Sequence, residues 1–167
     1  LTHFRLADEI MEWSDLHPEV KLDCFWDNPT RKTEYTYSKS LTFHPINAEK
    51  YLDKMTSCAG LISTAGFESV AEAMYLGKPV MMVPVPNHIE QMINAHDGVI
   101  SGAGVRAKSF DLNVFKDYLP LHKPVQETFQ HWVSQANFGY QLTDLIRKPI
   151  ESRDFSPRNE EGLSTSW

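Results

Sequence analysis

Apolar positions recur at helical spacing at the start of the chain, where Leu6, Ile10 and Trp13 follow one another with Ala7 and Met11 beside them. The spacing predicts a helix over 1–13, ended before Pro18. A short apolar run over 20–26 (VKLDCFW) predicts a strand, and the polar stretch 27–40, with Asn28-Pro29 as a turn signal, a connection. Residues 41–43 read as a second short strand closed by His44-Pro45. Asn47 is placed to cap a helix reaching Lys54, with Tyr51 and Met55 on its apolar side. A buried strand over 59–63 comes next, then a helix over 66–76 with Phe67, Val70, Ala71 and Met74 as its core-facing stripe.

Gly77-Lys78-Pro79 ends that helix in the expected order, glycine just past the last turn and proline beyond it. Residues 80–85 form a continuous apolar run, the pattern of a strand buried on both faces. Pro86-Asn87 leads into a helix over 88–96; Gly98 and the Ser101-Gly102-Ala103-Gly104 turn precede a strand near 105–107. Helices are expected over 111–119 and 125–147, the second bent near Gly139. From Lys148 the chain is polar and poor in aliphatics, so 1–147 is expected to be one α/β domain and 148–167 a loosely held tail. Short strands alternating with helices predict a Rossmann-like parallel sheet with helices on both faces. Ligands of such sheets bind outside the carboxyl ends of the strands.

Composition narrows the function classes. With 167 residues, 41% hydrophobic and 23% charged, the chain fits one ordinary globular domain with a real core. A net charge of −6 with scattered basic residues argues against a nucleic-acid partner, while phosphate binding at a helix N-terminus stays open. Cys24 and Cys58 form no CxxC pair and read as small buried hydrophobes of a reducing, cytoplasmic compartment. No apolar run approaches the ~18 residues of a membrane span, and no signal-peptide pattern opens the chain. The chain begins directly on a helical pattern with no strand before it, which reads as a fragment boundary. His3, His17, His44 and His96 stand alone and read as surface or packing residues.

Two polar clusters fall at carboxyl ends of expected strands. Ser63, Thr64 and Gly66 follow the first, with Ser69 and Glu72 three apart on one face of the helix and Glu68 beside them. Gly66 has no Cβ to obstruct a ligand, and the hydroxyls surround the first free N–H groups. A carboxylate one turn down could accept from a ribose diol while phosphates sit at the tip. Spacing alone leaves two readings open, a plain capped turn and an anion seat, the plain turn slightly ahead. The second cluster, His88, Glu90 and Gln91, follows the next strand, and two such clusters favour one shared crevice. His88-Ile89-Glu90 spells the H-x-E of zinc deaminases, but no Pro-Cys-x-x-Cys follows it. No cluster has metal spacing, and no G-x-G-x-x-G, Walker or G-x-S-x-G sequence occurs.

The order Thr64-Ala-Gly-Phe-Glu-Ser-Val-Ala-Glu-Ala73, Leu76-Gly-Lys-Pro79, Pro84, Glu90-Gln91 and Asn94-Ala95 resembles the donor-binding signature of GT-B glycosyltransferases. It looks most like the lipid II-forming and UDP-glycosyltransferase branch. The match is tight over 64–95 and loose over 20–120. The resemblance implies the carboxy-terminal, nucleotide-sugar-binding half of such an enzyme, inverting and metal-independent, with no cofactor and a UDP-sugar as donor substrate. It implies that Gly66 and the helix N-terminus, with Ser63, Thr64 and Ser69, hold the diphosphate, with Phe67 in the same nucleotide-sugar site. Glu72 would take the ribose; Glu90 and Gln91 would contact the donor sugar, with His88 beside them in the nucleotide-sugar site; Ile46 would lie in the loop packed on the base. The family's first strand and glycine-rich loop would precede Leu1. An acceptor-binding amino-terminal domain or subunit would supply the general base and any peripheral membrane association. Thr64 stands where plant-type enzymes have histidine, and Glu68, where they often have Asn, brings a negative charge toward the diphosphate. The rivals are a UDP-N-acetylglucosamine 2-epimerase-like isomerase and a non-catalytic, partner-dependent donor-binding subunit.

Overall fold

The computed structural model describes residues 4–135, beginning with helix α1, Phe4–Leu16. Its apolar stripe is the one the spacing predicts: Ala7 and Ile10 are buried against Trp26, Leu41 and Phe43. Strands β1 (Leu22–Trp26) and β3 (Leu41–Pro45) pair in parallel, Leu22 opposite Leu41 and Trp26 opposite Pro45. The sequence reading left β2 (Tyr35–Thr36) inside a polar connection. It adds antiparallel to β3, and two residues are too short to show the period of a strand. Its Tyr35 ring stacks on Phe43 with centroids 6.1 Å apart.

Helix α2 (Ala48–Ser57) starts at Asn47, whose side chain accepts from the Lys50 N–H at 2.8 Å, and runs three residues past the expected end at Lys54. The second ladder is all parallel: β4 (Leu61–Ser63), β5 (Val80–Met82) and β6 (Gly104–Arg106), with β5 in the middle. All three β5 residues are fully buried, as its unbroken apolar run predicts. The Val83 N–H still donates to Ser63 O of β4 at 2.8 Å, and the pairing stops at Pro84, which has no N–H to donate.

Helices cover both faces of this ladder. Met55 of α2 and Val70, Ala73 and Met74 of α3 (Phe67–Tyr75) pack with Val80 and Met82. Phe115 of α5 (Leu112–Tyr118) packs with Met81 and Val83, which point the other way. Gly77, just past α3, takes φ +69°, the left-handed position that favours glycine at a helix end. Helix α4 (Ile89–Ile100) runs four residues beyond the expected 96, and α6 (Gln126–Gln135) is the described part of the expected 125–147 helix. The chain divides into two compact units, 1–130 and 131–167, and only 131–135 of the second are described. His3, the bend near Gly139, the 147/148 boundary and the tail lie outside the described residues.

One core assignment is corrected. Phe67 is 70% exposed, because the first residue of a helix projects over the turn before it and the buried stripe of α3 begins only at Val70. The lone histidines have packing roles where the structure describes them inside. His17 stacks on Trp13 at 3.9 Å. His44, 2% exposed, has Nε2 at 2.6 Å from Asp23 Oδ1 and Nδ1 at 2.9 Å from Glu34 Oε2. Lys54 pairs with Asp23 and Lys50 with Glu34, so β1, β3, α2 and the loop before β2 are joined through one network around that ring. Both cysteines are free and partly buried; burial pushes the Cys24 thiol up to about 12 and also raises Cys58. No helix among the described residues is long and apolar enough to cross a membrane.

Candidate functional site at the ends of β4 and β5

The turn after β4 has an unusual backbone. Ala65 is fully buried and sits at φ +64°, a left-handed position that L side chains rarely take. Gly66 follows as the N-cap of α3 at φ −62° and ψ 135°, with no side chain capping the helix. That backbone suits any residue, and a Cβ added at Gly66 would meet nothing within 4 Å. The glycine is therefore not required by the turn; it borders open space. The first N–H groups of α3 face outward there, at the positive end of the helix dipole.

The next strand end lies alongside. Val83 N–H donates to Ser63 O at 2.8 Å, and Asn87 takes φ +66°. His88 is the N-cap of α4, its Nδ1 accepting from the Gln91 N–H at 3.4 Å. Gln91 Oε1 in turn accepts from the Val85 N–H at 2.9 Å, and Asn94 Nδ2 donates to Ala65 O at 3.1 Å. Gln91 and Asn94 are three apart and share a face of α4. One helix face thus holds both loops, Gln91 the loop after β5 and Asn94 the turn after β4.

The structure sorts the residues singled out by the sequence. Ser63, Thr64, Gly66, Phe67 and Ser69 gather at the β4–α3 turn, and His88, Glu90 and Gln91 at the start of α4. Gln91 spends its carbonyl on the loop, which leaves its amide nitrogen as the group available to a ligand. Ile46, 66% exposed, follows β3 on the other ladder. Ser69 and Glu72 both lie beside Tyr51 of α2. Burial first, then the Glu72 charge, raise the Tyr51 phenol, and its hydrogen bond with Ser69 acts the other way. Ala65 and Asn94 received no site role from sequence, and Tyr51 only a place on the apolar side of its helix. Asn94 lay in the signature, but nothing in one sequence tells which backbone group it meets. Among the described residues no group of three or more His, Cys, Asp or Glu could hold a metal ion.

Comparison with known proteins bears on the family and the fold. The family model described as glycosyl transferase family 1 matches residues 15–121, well over half of the chain. No curated protein matches. Among solved structures the chain is similar to the glycotransferase of kitacinnamycin, with a TM-score of 0.60 and 14% identity over 87% of this chain. At that identity the likeness is one of fold, and this chain spans 39% of that protein's length. The extent of the family match, on an α/β frame of this topology, places the chain in glycosyl transferase family 1.

Proposed function

We propose that this domain binds a nucleotide-diphosphate sugar, a UDP-sugar above others, across the ends of β4 and β5. The observation that carries the reading is the open N-terminus of α3: an uncapped Gly66 beside open space, held in position by a buried, left-handed Ala65 and by Asn94. Strain of this kind, over-determined by its surroundings, collects at ligand sites. The diphosphate would accept from the N–H groups of Gly66 and the first turn, with Thr64 and Ser69 adding hydroxyls. Glu72 would accept from the ribose, the exposed Ile46 loop would meet the base, and His88, Glu90 and the Gln91 amide would face the sugar.

In transfer, an acceptor hydroxyl attacks the anomeric carbon from the face opposite the diphosphate, and the glycosidic C–O bond breaks with inversion. Negative charge develops on the departing phosphate oxygen, where the amides and dipole of α3 already point. A general base outside this chain takes the acceptor proton. The sequence has no Asp-x-Asp to seat a bridging cation, so the reading is metal-independent. Titration calorimetry of the 167-residue chain with UDP, UDP-sugars, GDP and TDP tests it. Binding of UDP or a UDP-sugar is expected; heats at the dilution level for all of them would end the reading.

A further inference from the structure

Side chains of β3 alternate between two helices. Leu41 and Phe43 pack toward α1, and Thr42 and His44 take the opposite face of the ladder, toward α2. His44 stacks on Phe25 of β1 with ring centroids 4.9 Å apart, and Phe25 meets the Tyr51 ring of α2 edge-on at 5.2 Å. The His44 ring is 2% exposed, and each of its nitrogens faces a carboxylate. Nε2 lies 2.6 Å from Asp23 Oδ1 of β1, and Nδ1 lies 2.9 Å from Glu34 Oε2, ahead of β2. Lys54 and Lys50 of α2, paired with Asp23 and Glu34, complete the charged groups around the ring.

A carboxylate oxygen accepts and does not donate, so both contacts form together only when both ring nitrogens carry hydrogen, as in the imidazolium. Burial pushes the Asp23 carboxyl up, but the bonds from His44 and Lys54 outweigh it and hold it below its ordinary value. The bonds from Lys50 and then His44 lower Glu34 in the same way. Both carboxyls are therefore ionised at neutral pH. Removing one ring proton would set a nitrogen lone pair against a carboxylate. The contact to open is the longer one, to Glu34, whose side chain is 46% exposed against 32% for Asp23 and can turn to water. The network is whole while the ring keeps both protons and opens as rising pH removes one.

What the network grips is the short connection Ile46-Asn47 between β3 and α2. Glu34 Oε2 takes a bond from each side of it, from His44 before and from the Lys50 ammonium after. Ile46, 66% exposed, stands between those two grips. The Asn47 cap ties α2 to itself through the Lys50 N–H, so removing the cap leaves the outer grip in place. We infer that His44 is a positioning residue: as an imidazolium shared by Asp23 and Glu34, it staples the β3–α2 connection and holds Ile46 where the base of the donor is received. The inference rests on the donor reading for what Ile46 meets, but not for the staple itself. Loss of the ring proton frees the connection, so nucleotide affinity falls as pH rises.

The test compares the 167-residue chain with Glu34→Gln from about pH 7, above the titration of a phosphate, to about pH 9. A glutamine at 34 offers either a carbonyl or an N–H, so it pairs with the charged or the neutral ring and removes the need for the second proton. Burial raises the nearby Tyr51 phenol and Cys58 thiol, which keeps their titration out of the way. Nitrogen NMR is expected to show two His44 ring N–H groups at the lower pH. The Ile46 methyl signals should move with the ring's titration in the unaltered chain and stay put in Glu34→Gln. By calorimetry UDP should weaken about tenfold at the upper pH in the unaltered chain and no more than about twofold in Glu34→Gln. His44→Asn and His44→Gln separate positioning from packing, because the asparagine amide reaches the place of Nδ1 and the glutamine amide that of Nε2. Both lose the stacking on Phe25 and should melt alike, but only His44→Gln, which drops the Glu34 contact, should weaken UDP about tenfold. If neither folds, Glu34→Gln carries the test. One ring N–H in place of two, Ile46 signals that ignore the ring, or equal pH slopes in the two chains overturns the inference. Binding of no nucleotide at all would end the donor reading, while the ring and methyl signals still decide the staple.

Discussion

Helices α2 and α3 both leave the carboxyl end of a parallel strand, yet they begin in opposite ways. At α2, Asn47 bonds the Lys50 N–H at 2.8 Å and the helix satisfies its own first turn. His88 and Asp111 do the same for α4 and α5. At α3 the cap is Gly66, with no side-chain bond, preceded by a buried alanine in the left-handed region. That alanine costs about 1–2 kcal/mol that a glycine would avoid. The contrast teaches that a helix start can be built for the helix or for something that visits it. At α3 the Asn94 clamp and the core around Ala65 hold a turn with no side-chain cap, and in the proposed reading its N–H groups are left for the diphosphate.

The comparison breaks most sharply at Gly66→Asp, which would give α3 the kind of cap α2 has. The backbone there already has N-cap angles, and the new Cβ meets open space. Stability should rise, by up to about 1 kcal/mol from the cap and the dipole. Affinity for UDP should fall about 100-fold, near 3 kcal/mol, because a carboxylate now takes the amides and repels the diphosphate. Denaturant melts and calorimetry read the two changes together. Lost stability with unchanged affinity would place the diphosphate elsewhere.

Asn94→Leu removes the clamp and keeps much of the volume. It leaves the Ala65 carbonyl without its 3.1 Å donor, at about 1–2 kcal/mol of stability, and should weaken UDP about tenfold as the turn relaxes. Adding Ala65→Gly relieves the left-handed strain and should recover part of the stability but little of the affinity. Recovery of both would mean that strain, and not position, is what Asn94 controls.

How far these features can be read from sequence differs between the two helix starts. Asn47 was legible because capping is local: a polar side chain three residues ahead of the N–H that donates to it needs no other part of the fold. The β4–α3 turn was legible in location, from an apolar run stopping at Ser63-Thr64-Ala65-Gly66. Its strain was not, since nothing local marks Ala65 as left-handed; a contact 29 residues away in α4 holds it there. Phe67 was misread for a related reason. Periodicity assigns a face to a helix but not the point along it where the core begins. The short β2 and the division into two ladders are long-range pairings, and a two-residue strand carries no period to detect.

Asn47→Ala is the matching experiment on the closed side. It should cost about 1 kcal/mol of stability through the lost cap and leave UDP affinity where it was. If it weakened UDP as much as the Asn94 change, the two helix starts would not be separate devices.

The smallest effect sharpens the comparison most finely. Glu68 is exposed in the first turn of α3, next to Gly66 and Phe67, where its charge interacts favourably with the helix dipole. The free domain gains a few tenths of a kcal/mol from it, but a bound diphosphate meets it as a like charge at the same positive potential. Glu68→Gln should therefore lower stability by about 0.3 kcal/mol and tighten UDP about two- to threefold. Both changes are screened charge effects on a solvated group, so they should be largest at low salt and fade as ionic strength approaches 1 M, where the screening length is about 3 Å. A stability loss without the gain in affinity would show that the anion does not share the field Glu68 sits in. The diphosphate would then have to be sought away from α3.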